Sequence, residues 1–149
     1  MDKLVEAMKT LLANTFAFYV KAQGFHWNVE GPNFPQYHQL FGCIYTEVYG
    51  SIDKMAEEIR AMDSYVPAGL SKFDQISEIS DETKIPSARG MLEKLVTDNE
   101  LMLRSILTAY ELAEANKIHG LSNFLAERQD AHKKHRWQLT ATLKNTGSQ

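Results

Sequence analysis

The sequence predicts an all-α fold: two helical hairpins joined by one long crossover, together making a four-helix bundle. Three observations predict it. Apolar residues recur at three- and four-residue steps along four stretches of the chain. No segment sustains the two-residue alternation of a half-buried strand. The joins are short within each pair of stretches and long between the pairs, which makes antiparallel neighbours of the former. With 149 residues the chain suits a single domain, 1–149, with a core of its own.

The first stretch runs through Leu4, Met8, Leu11, Leu12, Thr15, Phe16, Tyr19 and Val20, and its continuation reaches His26. Gly31-Pro32-Asn33 breaks it. The second uses Phe34, Tyr37, Phe41, Ile44, Tyr45, Val48, Ile52, Met55 and Ile59, and reads as one helix to Met62, ahead of Pro67 and Gly69. The segment from Asp63 to Pro86 then needs a task, because long structureless connections are uncommon in compact domains. Its task is to return along the bundle. A helix of about 28 residues is roughly 42 Å long, and a partly extended segment of this length spans that distance. Ser71 to Ile79 is expected to form a short amphipathic helix midway, through Phe73, Ile76 and Ile79, and the acids of Glu78 to Glu82 read as solvated crossover. The third stretch, started by Pro86 and Ser87, uses Leu92, Leu95, Val96, Met102, Leu103, Ile106 and Tyr110. The fourth, entered after Gly120, uses Leu121, Phe124, Leu125, Arg128, His135, Leu139 and Leu143. Two hairpins with one crossover carrying a short helix are the ferritin-like arrangement.

Composition removes several function classes. No apolar run approaches a membrane span, and the N-terminus lacks the apolar block of a signal peptide. A lone cysteine, Cys43, excludes an intrachain disulfide framework. A cytoplasmic location is the simplest expectation. A net charge of −3 gives no electrostatic footprint for nucleic acid.

Four residues carry the chemistry: His26, His38, Asp53 and Glu57, separated by 12, 15 and 4 positions. Two imidazoles and two carboxylates suit a transition metal such as iron, provided the fold brings them together. A bundle-internal di-iron site would use Glu-x-x-His pairs, and the sequence contains none. Helical angles place the four instead. With the apolar stripe centred on Phe41 and Ile59, and about 100° per residue, His38 lies about 60° from the centre, Asp53 about 120° and Glu57 about 160°. The carboxylates share a face, being four residues apart, and that face points away from the chain's own core. Solvated acids are one reading. Ligands brought by a second subunit, and brought twice by a twofold axis, are the other.

The segment Gly24 to Ala61, with His26-Trp27-Asn28-Val29, Gly31-Pro32-Asn33-Phe34, His38 and Asp53-Lys54-Met55-Ala56-Glu57, closely resembles the Dps proteins, the small ferritins of bacteria and archaea. A weaker resemblance extends over the rest, including Lys134-His135-Arg136-Trp137-Gln138-Leu139. The resemblance implies a hollow homo-oligomeric shell, a dodecamer of tetrahedral symmetry. It implies ferroxidase centres at twofold interfaces, where His26 and His38 of one subunit face Asp53 and Glu57 of the next. It implies iron as the metal, with Fe(II) and hydrogen peroxide or dioxygen as substrates and ferric mineral stored inside, protecting against oxidative damage. Glu57 would bridge two irons. Trp27 and Tyr45 stand as candidate local electron donors beside their plainer role in packing.

The chain departs from that pattern in three places. Many family members place glutamates just after the second histidine for mineral nucleation, where Gln39, Gly42 and Cys43 stand here. Acids early in the last helix line the family's threefold pores. This chain has Asn123 there, leaving Glu127 and Asp130 as pore candidates or as a solvated face. DNA-binding members often carry basic tails. Here the first helix is expected to begin near residue 3, and the C-terminal tail from Lys144 to Gln149 holds a single lysine, so DNA binding is expected to be weak or absent near neutral pH. The alternative function is a DNA-associated or structural shell, associated with the nucleoid, whose metal centre is weakly active. Among the remaining residues, His132 and His135 form a possible metal pair without a third ligand. His119 is expected at a helix C-terminus. Cys43 reads as a small buried or interface residue. Gly24, Gly42 and Gly50 suggest close approach by a neighbour.

Overall fold

In the computed structural model, which describes residues 1–144, the chain forms six helices: α1 Asp2–Asn28, α2 Phe34–Tyr49, α3 Ile52–Ala61, α4 Leu70–Ile76, α5 Ala88–Ala115 and α6 His119–Leu143. The segment 145–149, on which most of the tail argument about DNA rests, lies outside the described residues. The bundle is built by α1, the α2–α3 pair, α5 and α6. The hairpins α1–α2 and α5–α6 pack side by side through α1 and α5, and α4 lies across α1 in the crossover. None of the described helices is long and apolar enough to cross a membrane.

The core stripe of α1 leaves the expected path after Thr15. Leu4, Met8, Leu11, Thr15, Phe18, Ala22 and Phe25 are buried, alternating steps of four and three. Phe16 and Val20 form a second face that meets the crossover, with Phe16 stacked on Phe73 of α4 at 4.5 Å between centroids, while Tyr19 turns to Tyr49 of α2 at 5.0 Å. Two stripes compete on a helix with apolar residues on more than one face, and the larger partner surface, the bundle, takes the regular one.

The expected single second helix is broken at Gly50 and Ser51. The Val48 carbonyl accepts both the Ser51 amide, at 3.1 Å, and the Ser51 hydroxyl, at 2.7 Å. A serine that back-bonds to the preceding turn, beside a glycine, is a recognised cause of helix interruption. Apolar periodicity carries across the break, since Val48, Met55 and Ile59 are all buried, so the stripe alone did not reveal it.

The crossover is better anchored than its acidic composition suggests. Asn14, fully buried in α1, accepts the Glu78 amide at 2.7 Å and donates to Glu78 Oε1 at 2.8 Å and Ser105 Oγ at 3.2 Å. Glu82 pairs with Lys94 at 3.2 Å. The short crossover helix ends at Ile76, and Ile79 is buried from the extended segment beyond it. Ser87 caps α5 as its position before the helix implies, accepting the Gly90 amide at 3.0 Å. His119 is the first residue of α6 rather than part of a helix C-terminus. The turn after α5 is made by Lys117, which takes the left-handed conformation with φ 57°.

Candidate metal centre

His26 sits near the C-terminal end of α1 and His38 in the second turn of α2, so the tight Gly31-Pro32-Asn33 turn folds one against the other. Gly31, at φ 103°, supplies a conformation that L side chains rarely adopt. The two imidazoles stack with centroids 3.8 Å apart and planes 14° from parallel. Each is tied to the other's main chain: His26 Nδ1 lies 2.6 Å from the His38 carbonyl, and His38 Nδ1 lies 2.7 Å from the His26 carbonyl. A carbonyl oxygen only accepts, so both Nδ1 atoms carry the proton. In the neutral rings both Nε2 atoms therefore keep a free lone pair, which is the tautomer a metal needs. That lone pair lies in the ring plane. Two nearly parallel planes this far apart share no point at bonding distance from both rings, so no single ion lies in both.

The surroundings hold the pair from both sides. Phe34 stacks on His38 at 5.1 Å and Tyr45 leans on His26 at 5.2 Å. Of the two aromatic candidates, Tyr45 thus lies against the His26 imidazole, while Trp27 is 65% exposed. Gly42 faces the His26 ring so closely that a Cβ there would come within 2.9 Å of its Cε1 and Nδ1 atoms. This is the close approach expected of a mid-helix glycine. Gly24 has nothing within 4 Å and Gly50 only ordinary contacts, so neither is explained in this way within one chain.

Asp53 and Glu57 are both exposed on α3, one turn apart. Lys54, lying between them in sequence, turns to Glu58 at 3.2 Å and lies over the Phe124 ring of α6. Among the described residues, no three His, Cys, Asp or Glu side chains of the chain converge on a metal position. The structure thus brings His26 and His38 together and leaves the carboxylates apart from them on an outward face.

The other candidates fall elsewhere. Glu127, Asp130 and Asn123 are exposed along α6, and Gln39 and Cys43 are exposed on α2, so Cys43 is not buried within the chain. His132 and His135 are buried and bound to protein groups. His132 Nδ1 donates to Asn99 Oδ1 at 2.7 Å, and His135 Nε2 meets Glu47 Oε1 at 2.8 Å. Arg128 grips both oxygens of the same carboxylate, one through Nη1 and the other through Nη2 at 3.0 Å. Burial alone would raise the Glu47 pKa. The His135 and Arg128 hydrogen bonds together outweigh it and hold the carboxyl well below the usual carboxylate range. Burial first, then the charges of Arg128 and His135, push the His132 pKa well below its ordinary value, so this ring is neutral near pH 7. This network was not anticipated from sequence. Its signals were Arg128 and His135, two polar residues on the apolar stripe of the fourth helix.

The all-helical bundle and its single long crossover define the ferritin-like class, and the ferritin-like domain family matches residues 5–148. The DNA protection during starvation protein of Brevibacillus brevis is 32% identical, over 89% of this chain and 89% of its own. The DNA protection during starvation protein 2 of Bacillus anthracis is 30% identical, over 95% and 97%. The crystal structure of the Dps protein from Vibrio cholerae O1, described as a member of a broad superfamily of ferritin-like diiron-carboxylate proteins, superposes with a TM-score of 0.91 at 30% identity, covering 96% of this chain and 90% of that one. The chain belongs to the Dps family of ferritin-like proteins.

Proposed function

We propose that this protein is a ferroxidase and iron store that oxidises Fe(II) at centres shared between two subunits of a hollow dodecamer. The supporting observation is the reciprocal imidazole pair, with both Nδ1 protons tied to main-chain carbonyls and both Nε2 lone pairs left for metal. Membership of a family with a di-iron-carboxylate relative supports iron as the metal. Asp53 and Glu57 of the partner subunit complete the ligand set. They share a helix face turned away from their own core, as a contribution to a neighbour requires.

In this reading each imidazole serves a different ion, because one ion cannot occupy both ring planes. The two imidazoles, with centroids 3.8 Å apart, would offer one Nε2 to each of two Fe(II) ions, and Glu57 would supply a carboxylate to both. Hydrogen peroxide takes one electron from each of two Fe(II) ions. With two protons it leaves as two waters, and no hydroxyl radical is released. Dioxygen is the alternative oxidant. The chain's own part is to hold the ligands in one tautomer and to leave positions open for the oxidant.

The test compares peroxide-driven ferrous oxidation by the wild type and by Asp53→Ala with Glu57→Ala, after confirming that both assemble to the same mass. The double variant is expected to lose the catalysed phase. Equal rates in the two assembled proteins would sink the ferroxidase reading and leave a structural shell.

A further inference from the structure

Gly42 stands in the middle of α2, where glycine is the poorest helix former after proline. No left-handed backbone requires it there, since among the described residues the glycines with positive φ are Gly31 and Gly69. A side chain at this position would run into the His26 ring: a Cβ lands 2.9 Å from both Cε1 and Nδ1, inside any normal contact. Nδ1 is the atom that donates to the His38 carbonyl at 2.6 Å. The ring cannot retreat along its stacking direction without leaving His38, 3.8 Å away, nor turn freely toward Tyr45, 5.2 Å away.

We propose that Gly42 is a positioning residue of the metal centre: its missing side chain seats the His26 imidazole against the His38 carbonyl and so fixes the tautomer that frees Nε2. This rests on the ferroxidase reading for its consequence in metal binding, but the seat itself is a feature of this chain alone. It also gives a reason for glycine at a position where the family resemblance expects an acid. The carboxylate is traded for room, and the ligand histidine takes that room. His38 would lose the stacked ring but keep its own Nδ1 bond, which goes to the main-chain carbonyl of His26 and not to the ring. A substitution at Gly42 therefore acts on the His26 imidazole directly and leaves the Nδ1 bond of His38 in place.

Gly42→Ala separates this role from a backbone effect. Alanine is the better helix former, so a backbone effect alone would raise the melting temperature and leave the histidines in place. The assembled, metal-free protein is titrated anaerobically with Co(II), whose visible absorption reports its ligands. The expected result is weaker Co(II) binding by roughly 10–100-fold, the usual effect of losing a residue that orients a ligand. In a His26→Ala background the same substitution is expected to change nothing further, since the two act through one ring. The crystal structure of Gly42→Ala is expected to show the His26 ring displaced, with Nδ1 out of hydrogen-bond range of the His38 carbonyl. Wild-type affinity in Gly42→Ala, an equal loss in the His26→Ala background, or an unmoved ring would each overturn the proposal. If the wild type binds no Co(II), the metal-centre reading fails, and the ring's position in the Gly42→Ala crystal still decides what residue 42 does.

Discussion

Two pairs of neighbouring histidines occupy this chain, and they are wired in opposite ways. In the pair of His26 and His38, each ring spends Nδ1 on a main-chain carbonyl and keeps Nε2 unengaged, in a half-buried position. In the pair of His132 and His135, each ring spends one nitrogen on a side chain, and the others, His132 Nε2 and His135 Nδ1, are sealed in the core without a partner among the described residues. The first pair lies parallel at 3.8 Å, and the second edge-on at 5.2 Å and 90°. Composition and spacing do not separate a ligand from a strut. The deciding features are which nitrogen is tied, to what, and whether the other reaches open space.

The sharpest way to break this contrast is metal binding. His26→Ala and His38→Ala are each expected to weaken Co(II) binding by more than the roughly 10–100-fold that loss of an orienting neighbour costs. His135→Gln is expected to leave it unchanged in the assembled protein. Comparable losses in all three, by anaerobic titration, would show that the pairs do not divide into ligands and struts.

The second comparison is stability, where the order reverses. Glu47→Gln leaves Arg128 and His135, both nearly buried, without their carboxylate. Removing one partner of a fully buried pair costs about 3–5 kcal/mol. Glu47 keeps 39% of its side chain exposed, and solvent screening reduces the expected cost to about 1–2 kcal/mol. Urea unfolding of the variant should show a lower midpoint with Co(II) affinity intact, and an unchanged midpoint would remove the strut role.

The smallest effect is a dependence on pH. His132 has a folded pKa pushed down by burial and by Arg128 and His135, while in the unfolded chain it protonates near its ordinary value of about 6.5. Its contribution is fully present above the unfolded value. It is lost as pH falls below that value toward the folded pKa, because only the unfolded chain binds the proton there. Glu47, with a lowered folded pKa, adds a loss at more acidic pH, as its unfolded carboxyl protonates first. The melting temperature of His132→Asn, which can still donate to Asn99, is expected to fall less steeply than wild type between pH 7 and 5. Parallel curves would mean that His132 does not titrate differently on folding.

The sequence was legible where the signal was periodic. The bundle, the crossover and the outward direction of Asp53 and Glu57 all follow from spacing along a helix. Three features did not, each for a physical reason. The break at Gly50 and Ser51 depends on one hydroxyl choosing the Val48 carbonyl, while the apolar stripe runs on undisturbed. Glu47 looks like a surface acid because its partners lie 81 and 88 positions away. The neighbour that Gly42 leaves room for is visible only when His26, from another helix, is in place beside it.

Asn14 has a consequence of a different kind. A free connection from residue 62 to 87 would be one large loop with the full entropy of a floating chain. By fixing the main chain at Glu78, Asn14 divides it into two smaller loops that are closed independently. The Glu78 amide belongs to an exposed residue, yet its proton is held by a side chain in the core. Its exchange with solvent deuterium should follow the opening of α1 rather than the mobility of the surface around it, making it a reporter of bundle integrity from the outside of the molecule.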